Sequence, residues 1–177
     1  MLMGGGLVMQ FDGLIPRDGF YHFGLVVRDF DHALQELGSN IGLEWASTQR
    51  RQFPLRQPNG VVDVDFRVTY SRTGPPHYEV IEAAVGTIWD PHFAHGVHHL
   101  GYWSENLAED AEALTAAGYI WEATYDTGEG AEPFGFTYHT LPGTQLRVEL
   151  VDISRKPAMD LWFAGGDFPS ALEERDS

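Results

Sequence analysis

Residues 21–34 read Tyr-His-Phe-Gly-Leu-Val-Val-Arg-Asp-Phe-Asp-His-Ala-Leu, and residues 98–111 read His-His-Leu-Gly-Tyr-Trp-Ser-Glu-Asn-Leu-Ala-Glu-Asp-Ala. In both stretches a His opens a run with strand character, a Gly follows two residues later, and an acidic turn leads into a segment with helical character. Self-similarity of this kind predicts that the chain is built from two copies of one structural unit.

Each copy also ends on a strand-like run that carries carboxylates. Residues 78–82 read Tyr-Glu-Val-Ile-Glu, and residues 148–152 read Val-Glu-Leu-Val-Asp. Two imidazoles and two carboxylates make a complete set of protein ligands for a divalent metal. The repeat therefore predicts a metal site as well as the fold.

Hydrophobic alternation and turn residues predict the same element order in both units. For the first unit we predict a helix from residue 29 or 31 to about residue 37, ended by Gly38, and strands over 20–27, 43–46, 61–70 and 77–83. Residues 49–60, with two prolines and Asn59-Gly60, are predicted to form a loop or hairpin tip. For the second unit we predict a helix over 105–117 and strands over 98–103, 119–125, 134–140 and 145–151. A short helix is expected around residues 158–163.

These elements predict an α+β fold in which two tandem βαβββ modules form a cleft between curved sheets. The expected organisation is an N-terminal extension over 1–18, a first module over 19–84, a linker over 85–97, a second module over 98–155 and a C-terminal tail over 156–177.

Composition narrows the partners. The 177 residues include 11 Lys and Arg against 26 Asp and Glu, a formal charge of −15, which argues against nucleic acid and anionic membranes as partners. Because the chain has no Cys, a metal would have to be held by His and carboxylate. No run of 18 apolar residues and no basic leader is present, so we expect a cytoplasmic protein without a membrane span.

The repeated βαβββ unit, with His on its first strand and Glu on its last, resembles the vicinal oxygen chelate superfamily, and within it the glyoxalase-like group. This superfamily includes the glyoxalases, methylmalonyl-CoA epimerase, extradiol dioxygenases and bleomycin-resistance proteins. The resemblance covers about residues 20–153 and is carried by four runs: His22-Phe23-Gly24-Leu25-Val26-Val27, Pro76-His77-Tyr78-Glu79-Val80-Ile81-Glu82, His98-His99-Leu100-Gly101 and Leu146-Arg147-Val148-Glu149-Leu150-Val151.

The resemblance implies that four residues hold a divalent cation, whether Zn, Ni, Mn, Co, Mg or Fe: His22, Glu79, His99 and Glu149. Strand alternation supports the same choice, because side chains on a strand point to opposite faces in turn. His98 and His99 should therefore not both face one cleft, and alignment of His22 and Gly24 with His99 and Gly101 favours His99.

Strand parity also directs other residues toward the cleft. His77 and Arg147 share a face with Glu79 and Glu149 respectively, so either could orient a ligand or hold a substrate oxygen. The cleft walls are expected to include Phe66, Tyr70, Phe136 and Tyr138. By contrast, His92, His95 and His139 lie near turns and are expected to be exposed.

Four protein ligands would leave two neighbouring positions of a six-coordinate ion for two oxygens of a small-molecule substrate. The resemblance then implies a glyoxalase-like lyase or isomerase that stabilises an enolate or enediolate, with Glu149 or Glu79 as the base. The alternatives are an acyl-CoA epimerase-like enzyme, an extradiol-type dioxygenase and a non-enzymatic binding or resistance protein. The resemblance also allows a homodimer.

Overall fold

The computed structural model describes residues 13–15, 17–130 and 132–168, and it contains the predicted order of strand, helix and three strands twice. The first unit consists of β1 (Phe20–Val27), α1 (Phe30–Ile41), β2 (Gln49–Gln57), β3 (Gly60–Tyr70) and β4 (His77–Glu82). The second consists of β5 (Val97–Ser104), α2 (Leu107–Ala116), β6 (Ile120–Tyr125), β7 (Phe136–Leu141) and β8 (Leu146–Asp152). A third helix, α3 (Lys156–Phe163), follows. Residues 1–12 of the predicted N-terminal extension and residues 169–177 of the tail lie outside the described residues.

The eight strands form one curved sheet that closes round an axis, in the order β1-β4-β3-β2-β6-β7-β8-β5. Within each unit the first and last strands pair in parallel, β1 with β4 and β5 with β8, and the remaining neighbours are antiparallel. The two units join where β1 pairs with β5 and where β2 pairs with β6. The predicted α+β class is confirmed, and the predicted cleft is the interior of this closed sheet.

Helix α1 begins as predicted but ends later. Asp29 caps it, because its Oδ1 accepts a hydrogen bond from the His32 amide at 3.0 Å. The predicted stop at Gly38 is wrong: the helix continues to Ile41, and Gly42 ends it with a φ of 73°. A left-handed conformation at this position is one that glycine adopts without steric cost, so the terminating glycine is the one after the last turn.

Two other predictions for the first unit are wrong. Residues 49–57 are not a loop but strand β2, which pairs with β3 along its whole length. Its polar sequence hides the strand, because Gln and Arg side chains alternate with few apolar ones and Pro54 removes a backbone donor. Residues 43–46 form no strand, and only Trp45 makes an isolated bridge, to Ser71.

The interior of the sheet holds most of the buried apolar side chains, while α1 and α2 pack on its outside. Helix α3 lies across one end, where Met159, Trp162 and Phe163 are buried among the interior residues. His139 on β7 is only 1% exposed, so its predicted exposure is wrong. Within the described residues, no helix is long and apolar enough to cross a membrane.

Candidate metal centre

Four side chains meet inside the closed sheet, each from a different strand. His22 on β1, Glu79 on β4, His99 on β5 and Glu149 on β8 each offer a nitrogen or oxygen atom, and these atoms lie within 4.8 Å of one another. The two imidazole Nε2 atoms are 2.9 Å apart. Glu79 Oε2 lies 3.0 Å from His99 Nε2, and Glu149 Oε2 lies 3.1 Å from His22 Nε2. These are the four residues that the sequence suggests as metal ligands.

The glycine two residues after each of these histidines makes room for the other one. In the β1–β5 ladder His22 lies opposite Gly101, and Gly24 lies opposite His99. A Cβ atom added to Gly24 would overlap the His99 ring, and one added to Gly101 would overlap the His22 ring. The repeated His-x-Gly pattern is therefore a crosswise arrangement, in which the glycine of each unit leaves room for the imidazole of the other unit.

The residue before each histidine sits in a β-bulge. The register steps from Phe20–Tyr102 directly to His22–Gly101, which leaves Tyr21 as an extra residue, and from Gly24–His99 to Leu25–Val97, which leaves His98 extra. A bulge interrupts the strict alternation of faces and re-aims side chains. Tyr21 and His98 are consequently both buried beside the following histidine, against the expectation from an uninterrupted strand.

A tyrosine lies opposite each glutamate on the neighbouring antiparallel strand. Tyr70 pairs with Glu79 across β3 and β4, and Tyr138 pairs with Glu149 across β7 and β8. The Tyr70 hydroxyl donates a hydrogen bond to Glu79 Oε1 at 2.5 Å. Burial, followed by the charge of the nearby glutamates, raises the pKa of both tyrosines well above the ordinary value. Both phenols therefore keep their protons and can donate.

The four converging groups influence one another strongly because they are buried together. Burial alone would lower the pKa of His22, but the adjacent carboxylates of Glu149 and Glu79 outweigh it and raise the pKa to about 9. The pKa of His99 is raised for the same reasons. Burial alone would raise the pKa of each glutamate, but the His22 and His99 imidazoles beside the carboxylates outweigh it and hold the pKa below the usual range. Buried carboxylates at this spacing need positive charge beside them.

The cluster could bind a metal ion, and its hydrogen bonding fits that role. The Oε2 atoms of Glu79 and Glu149 are buried without a hydrogen-bond partner, although both face the imidazoles. Buried acceptors of this kind are costly when they stay unsatisfied. A divalent cation would give both oxygens a partner and would replace the protons that the imidazoles otherwise take up.

His99 has a hydrogen-bonding partner behind it that His22 lacks. His98 Nδ1 lies 2.9 Å from His99 Nδ1, and His98 Nε2 lies 2.8 Å from the Ile88 carbonyl oxygen. A carbonyl only accepts, so His98 then carries its proton on Nε2 and accepts from His99 Nδ1–H. This tautomer leaves the His99 Nε2 lone pair directed at the cluster. In contrast, His22 Nδ1 is buried without a partner.

Arg147 acts on this arrangement from the far side. Its guanidinium pairs with Glu122, with Nε 2.6 Å from Oε2, and its Nη1 lies 2.6 Å from His98 Nε2. Arginine only donates and cannot hydrogen-bond to a protonated Nε2, so Arg147 acts on His98 through its charge. Burial first, and then the positive charges of His99 and Arg147, lower the pKa of His98 to about 2, so this imidazole stays neutral.

A cavity of about 100 Å³ opens above the cluster, with Glu79 and Glu149 in its wall. Phe66, Tyr70, Phe136 and Tyr138 line it, as the sequence suggests. The remaining aromatic lining was not expected from the sequence and comes from five residues: Tyr21, Phe53, Trp89, Trp162 and Phe168. Arg51 and Arg155, both half-buried, also line it.

Neither His77 nor Arg147 belongs to the described residues that line the cavity, so the expectation that they face the cleft gains no support from the structure. His77 stacks on Phe163, with ring centroids 4.0 Å apart, and its Nδ1 lies 2.7 Å from the Ser71 carbonyl oxygen. Helix α3 thus covers His77. Arg147 is buried, pairs with Glu122 and lies against His98.

The geometry agrees with what the chain is similar to. The family model described as the Glyoxalase/Bleomycin resistance protein/Dioxygenase superfamily matches residues 21–138. The chain belongs to this superfamily. The matched stretch includes His22, Glu79 and His99, while Glu149 lies beyond its end and is placed beside them by strand β8.

Solved structures support the superfamily fold. A hypothetical protein from Bacillus halodurans C-125 is 14% identical with a TM-score of 0.52, over 75% of this chain and 92% of that one. Methylmalonyl-CoA epimerase from Mycobacterium tuberculosis is 13% identical with a TM-score of 0.51, over 82% of this chain and 93% of that one. No curated protein matches the chain. Identities this low show the shared fold and nothing about the reaction.

Proposed function

We propose that this protein is a metal-dependent enzyme of the glyoxalase-like lyase or isomerase type, which acts on a small substrate with two neighbouring oxygens. The observation that carries the proposal is the convergence of His22, Glu79, His99 and Glu149 beside an apolar cavity. Perturbed, buried titratable groups at the wall of a cavity are the usual mark of an active site.

A bound divalent cation would supply Lewis-acid stabilisation of the negative charge that develops on a substrate oxygen. The protein's own residues would do the rest. The two histidines and two glutamates would hold the cation, and the aromatic walls would exclude water from the substrate. Tyr70 would fix the orientation of Glu79 through its hydrogen bond to Oε1, which leaves Oε2 directed at the cluster.

The proton transfer would fall to a glutamate. Glu79 and Glu149 both line the cavity, so the carboxylate of either could accept a proton from a carbon next to a substrate carbonyl. One carboxylate that removes and returns the proton would give isomerisation. Two carboxylates that share the task would give epimerisation.

Four converging ligands weigh against an extradiol-type dioxygenase. That chemistry uses two histidines and one carboxylate and keeps three positions open. Here a second carboxylate, Glu79 or Glu149, completes the set.

The experiment is to load the purified protein in turn with Zn, Ni, Mn, Co, Mg and Fe, measure metal content, and follow exchange of the α-protons of hydroxyacetone in deuterated water by NMR. We expect one bound ion per chain and metal-dependent exchange. Glu149→Gln or Glu79→Gln should slow the exchange by about 100-fold or more, the usual contribution of a positioned acid or base.

Glu105→Gln is the matched control, because Glu105 is exposed, lies two residues before α2 begins and does not belong to the cluster. It should leave metal content and exchange unchanged. A protein that binds none of these ions, or Glu149→Gln and Glu79→Gln variants that both keep full metal content and full exchange, would refute the proposal.

A further inference from the structure

The cavity beside the proposed metal centre is aromatic to a degree that its chemistry does not require. Half of the residues that line it carry aromatic rings, and they come from four strands, the linker and the C-terminal segment. Packing an apolar pocket needs only aliphatic side chains, which are cheaper to fit because they have no preferred ring geometry.

The rings meet edge to face or at a tilt rather than stacked flat against one another. Trp89 meets Tyr138 at 86° and Phe66 at 51°, with ring centroids 5.8 Å and 4.8 Å apart. Phe136 meets Tyr138 at 74°, with centroids 5.7 Å apart. Such a lattice presents both ring faces and ring edges to the space it encloses, and those are the surfaces that another aromatic ring prefers to contact.

The size of the cavity limits what can enter. At about 100 Å³ it is smaller than the roughly 150 Å³ apolar cavity that is known to admit benzene, so it leaves no room for more than one ring. The glutamates are the most buried charged groups in its wall, whereas Arg51 and Arg155 are half-buried nearer the surface. A ligand that reaches the glutamates must therefore pass its remaining atoms between the aromatic walls.

We propose that the substrate is a compound with a single aromatic ring whose two neighbouring oxygens lie on the carbon chain attached to the ring. The oxygens lie at the four-residue cluster and the ring lies among Phe66, Trp89 and Phe136. This inference rests on the proposed function, since the cluster must hold the cation that the oxygens bind.

Hydroxamates test it, because they offer the same two oxygens on different side groups. Benzohydroxamate, cyclohexanecarbohydroxamate and acetohydroxamate are titrated into the metal-loaded protein by calorimetry. Burying a phenyl group instead of a methyl group should tighten binding by about 10- to 100-fold. The aromatic ring should also bind about 2- to 10-fold more tightly than the bulkier cyclohexyl ring.

Phe66→Leu tests the wall itself, and Phe23→Leu is its matched control. Phe66 lines the cavity and contacts Trp89, whereas Phe23 contacts Phe20 and Tyr78 and is not among the described lining residues. Phe66→Leu should reduce the preference for benzohydroxamate over acetohydroxamate by about 5-fold or more, with metal content and acetohydroxamate affinity kept. Phe23→Leu should leave the preference unchanged.

The outcomes separate this inference from the proposed function. Equal binding of benzohydroxamate and acetohydroxamate, or tighter binding of the cyclohexyl compound, would overturn the aromatic substrate and leave the metal-dependent function standing. If none of the three binds to protein that demonstrably holds metal, chelation by neighbouring oxygens is wrong, and both proposals fail together.

Discussion

The two half-sites of this molecule share their strands but differ in what stands behind the ligands. In the first unit His22 has a buried Nδ1 with no partner, and the bulge residue before it, Tyr21, faces the cavity. In the second unit His99 Nδ1 meets His98, the bulge residue before it. The bulge residue of the first unit thus lines the cavity, whereas the bulge residue of the second unit contacts a proposed metal ligand.

The fold therefore repeats the positions of the proposed ligands in both units but not the hydrogen-bond partners that orient the histidines. A glutamate faces a tyrosine in both units, through Tyr70 and Tyr138. Among the described residues, only the second unit adds an outer layer, in which His98 lies between His99 and the Ile88 carbonyl and Arg147, paired with Glu122, lies beside it. Outer partners of this kind fix the tautomer and orientation of a metal-binding imidazole.

The largest loss of metal affinity is expected to be the same in both half-sites. If both histidines hold the metal, His22→Ala and His99→Ala should each weaken metal affinity by more than about 100-fold, the upper end of the loss seen when only an outer partner is removed. Competition with a chelator measures this affinity. His95→Ala, an exposed histidine, should change nothing. If only one of the two histidine variants lost its metal, the two half-sites would not both hold the ion.

The next effect concerns the two glycines, each of which makes room for the histidine of the other unit. Gly24→Ala should displace the His99 ring and Gly101→Ala the His22 ring, because each added methyl group overlaps the imidazole of the other unit. Displacing a ligand by about 1 Å disables a site, so both variants should lose most of their metal affinity. In NMR spectra of the histidine rings, the largest shift should belong to the opposite unit's histidine. A larger shift of the histidine in the mutated unit would contradict the crosswise arrangement.

A smaller effect should reveal the asymmetry. His98→Phe removes the acceptor for His99 Nδ1–H and should weaken metal affinity by about 10- to 100-fold. Tyr21→Phe changes the equivalent bulge residue and, since the Tyr21 hydroxyl has no hydrogen-bond partner, should cost less than about 3-fold. His98→Gln, whose side-chain oxygen can accept, should recover part of the loss. Equal losses for His98→Phe and Tyr21→Phe would show that support is symmetric.

The smallest effect concerns acid stability and separates the units again. Burial lowers the pKa of His139 to about 4, whereas Ser71, at the matching position of the first unit, does not titrate. The unfolded chain takes up a proton near pH 6.5 and the folded protein only near pH 4. Stability is therefore fully present above pH 6.5 and is lost as the pH falls toward 4.

Denaturant unfolding between pH 4 and pH 7 measures this loss. His139→Phe keeps a buried ring and removes the titration, so its free energy of unfolding should fall by about 3 kcal/mol less than that of the natural protein over this range. Identical pH profiles for the two proteins would show that His139 contributes nothing to acid sensitivity.

Much of the site could be predicted because repetition constrains it. His22 and His99 open equivalent strands, and Glu79 and Glu149 lie on the strands that pair with them in parallel. Once two units are recognised, strand parity selects the same face in both. Closure of the sheet then brings these four strands together.

The features that could not be predicted depend on irregular backbone and on packing by elements that are distant in the sequence. The bulges at Tyr21 and His98 break the alternation that strand reasoning assumes, so the partner of His99 was missed. Trp89 lies in the linker, where no periodic pattern indicates an inward direction. His139 is buried although it lies near a turn, because α2 packs against its strand, a contact that local sequence does not show.

The crosswise glycines bear on how such a duplicated chain can change. The space that each histidine occupies is left by a glycine of the other unit. A bulkier residue at position 24 would therefore have to be matched by a smaller one at position 99. Positions 22 and 101 are bound by the same rule. A chimera that takes one half from a relative should keep its function only when these diagonal pairs are exchanged as sets, and the two halves are expected to diverge in step.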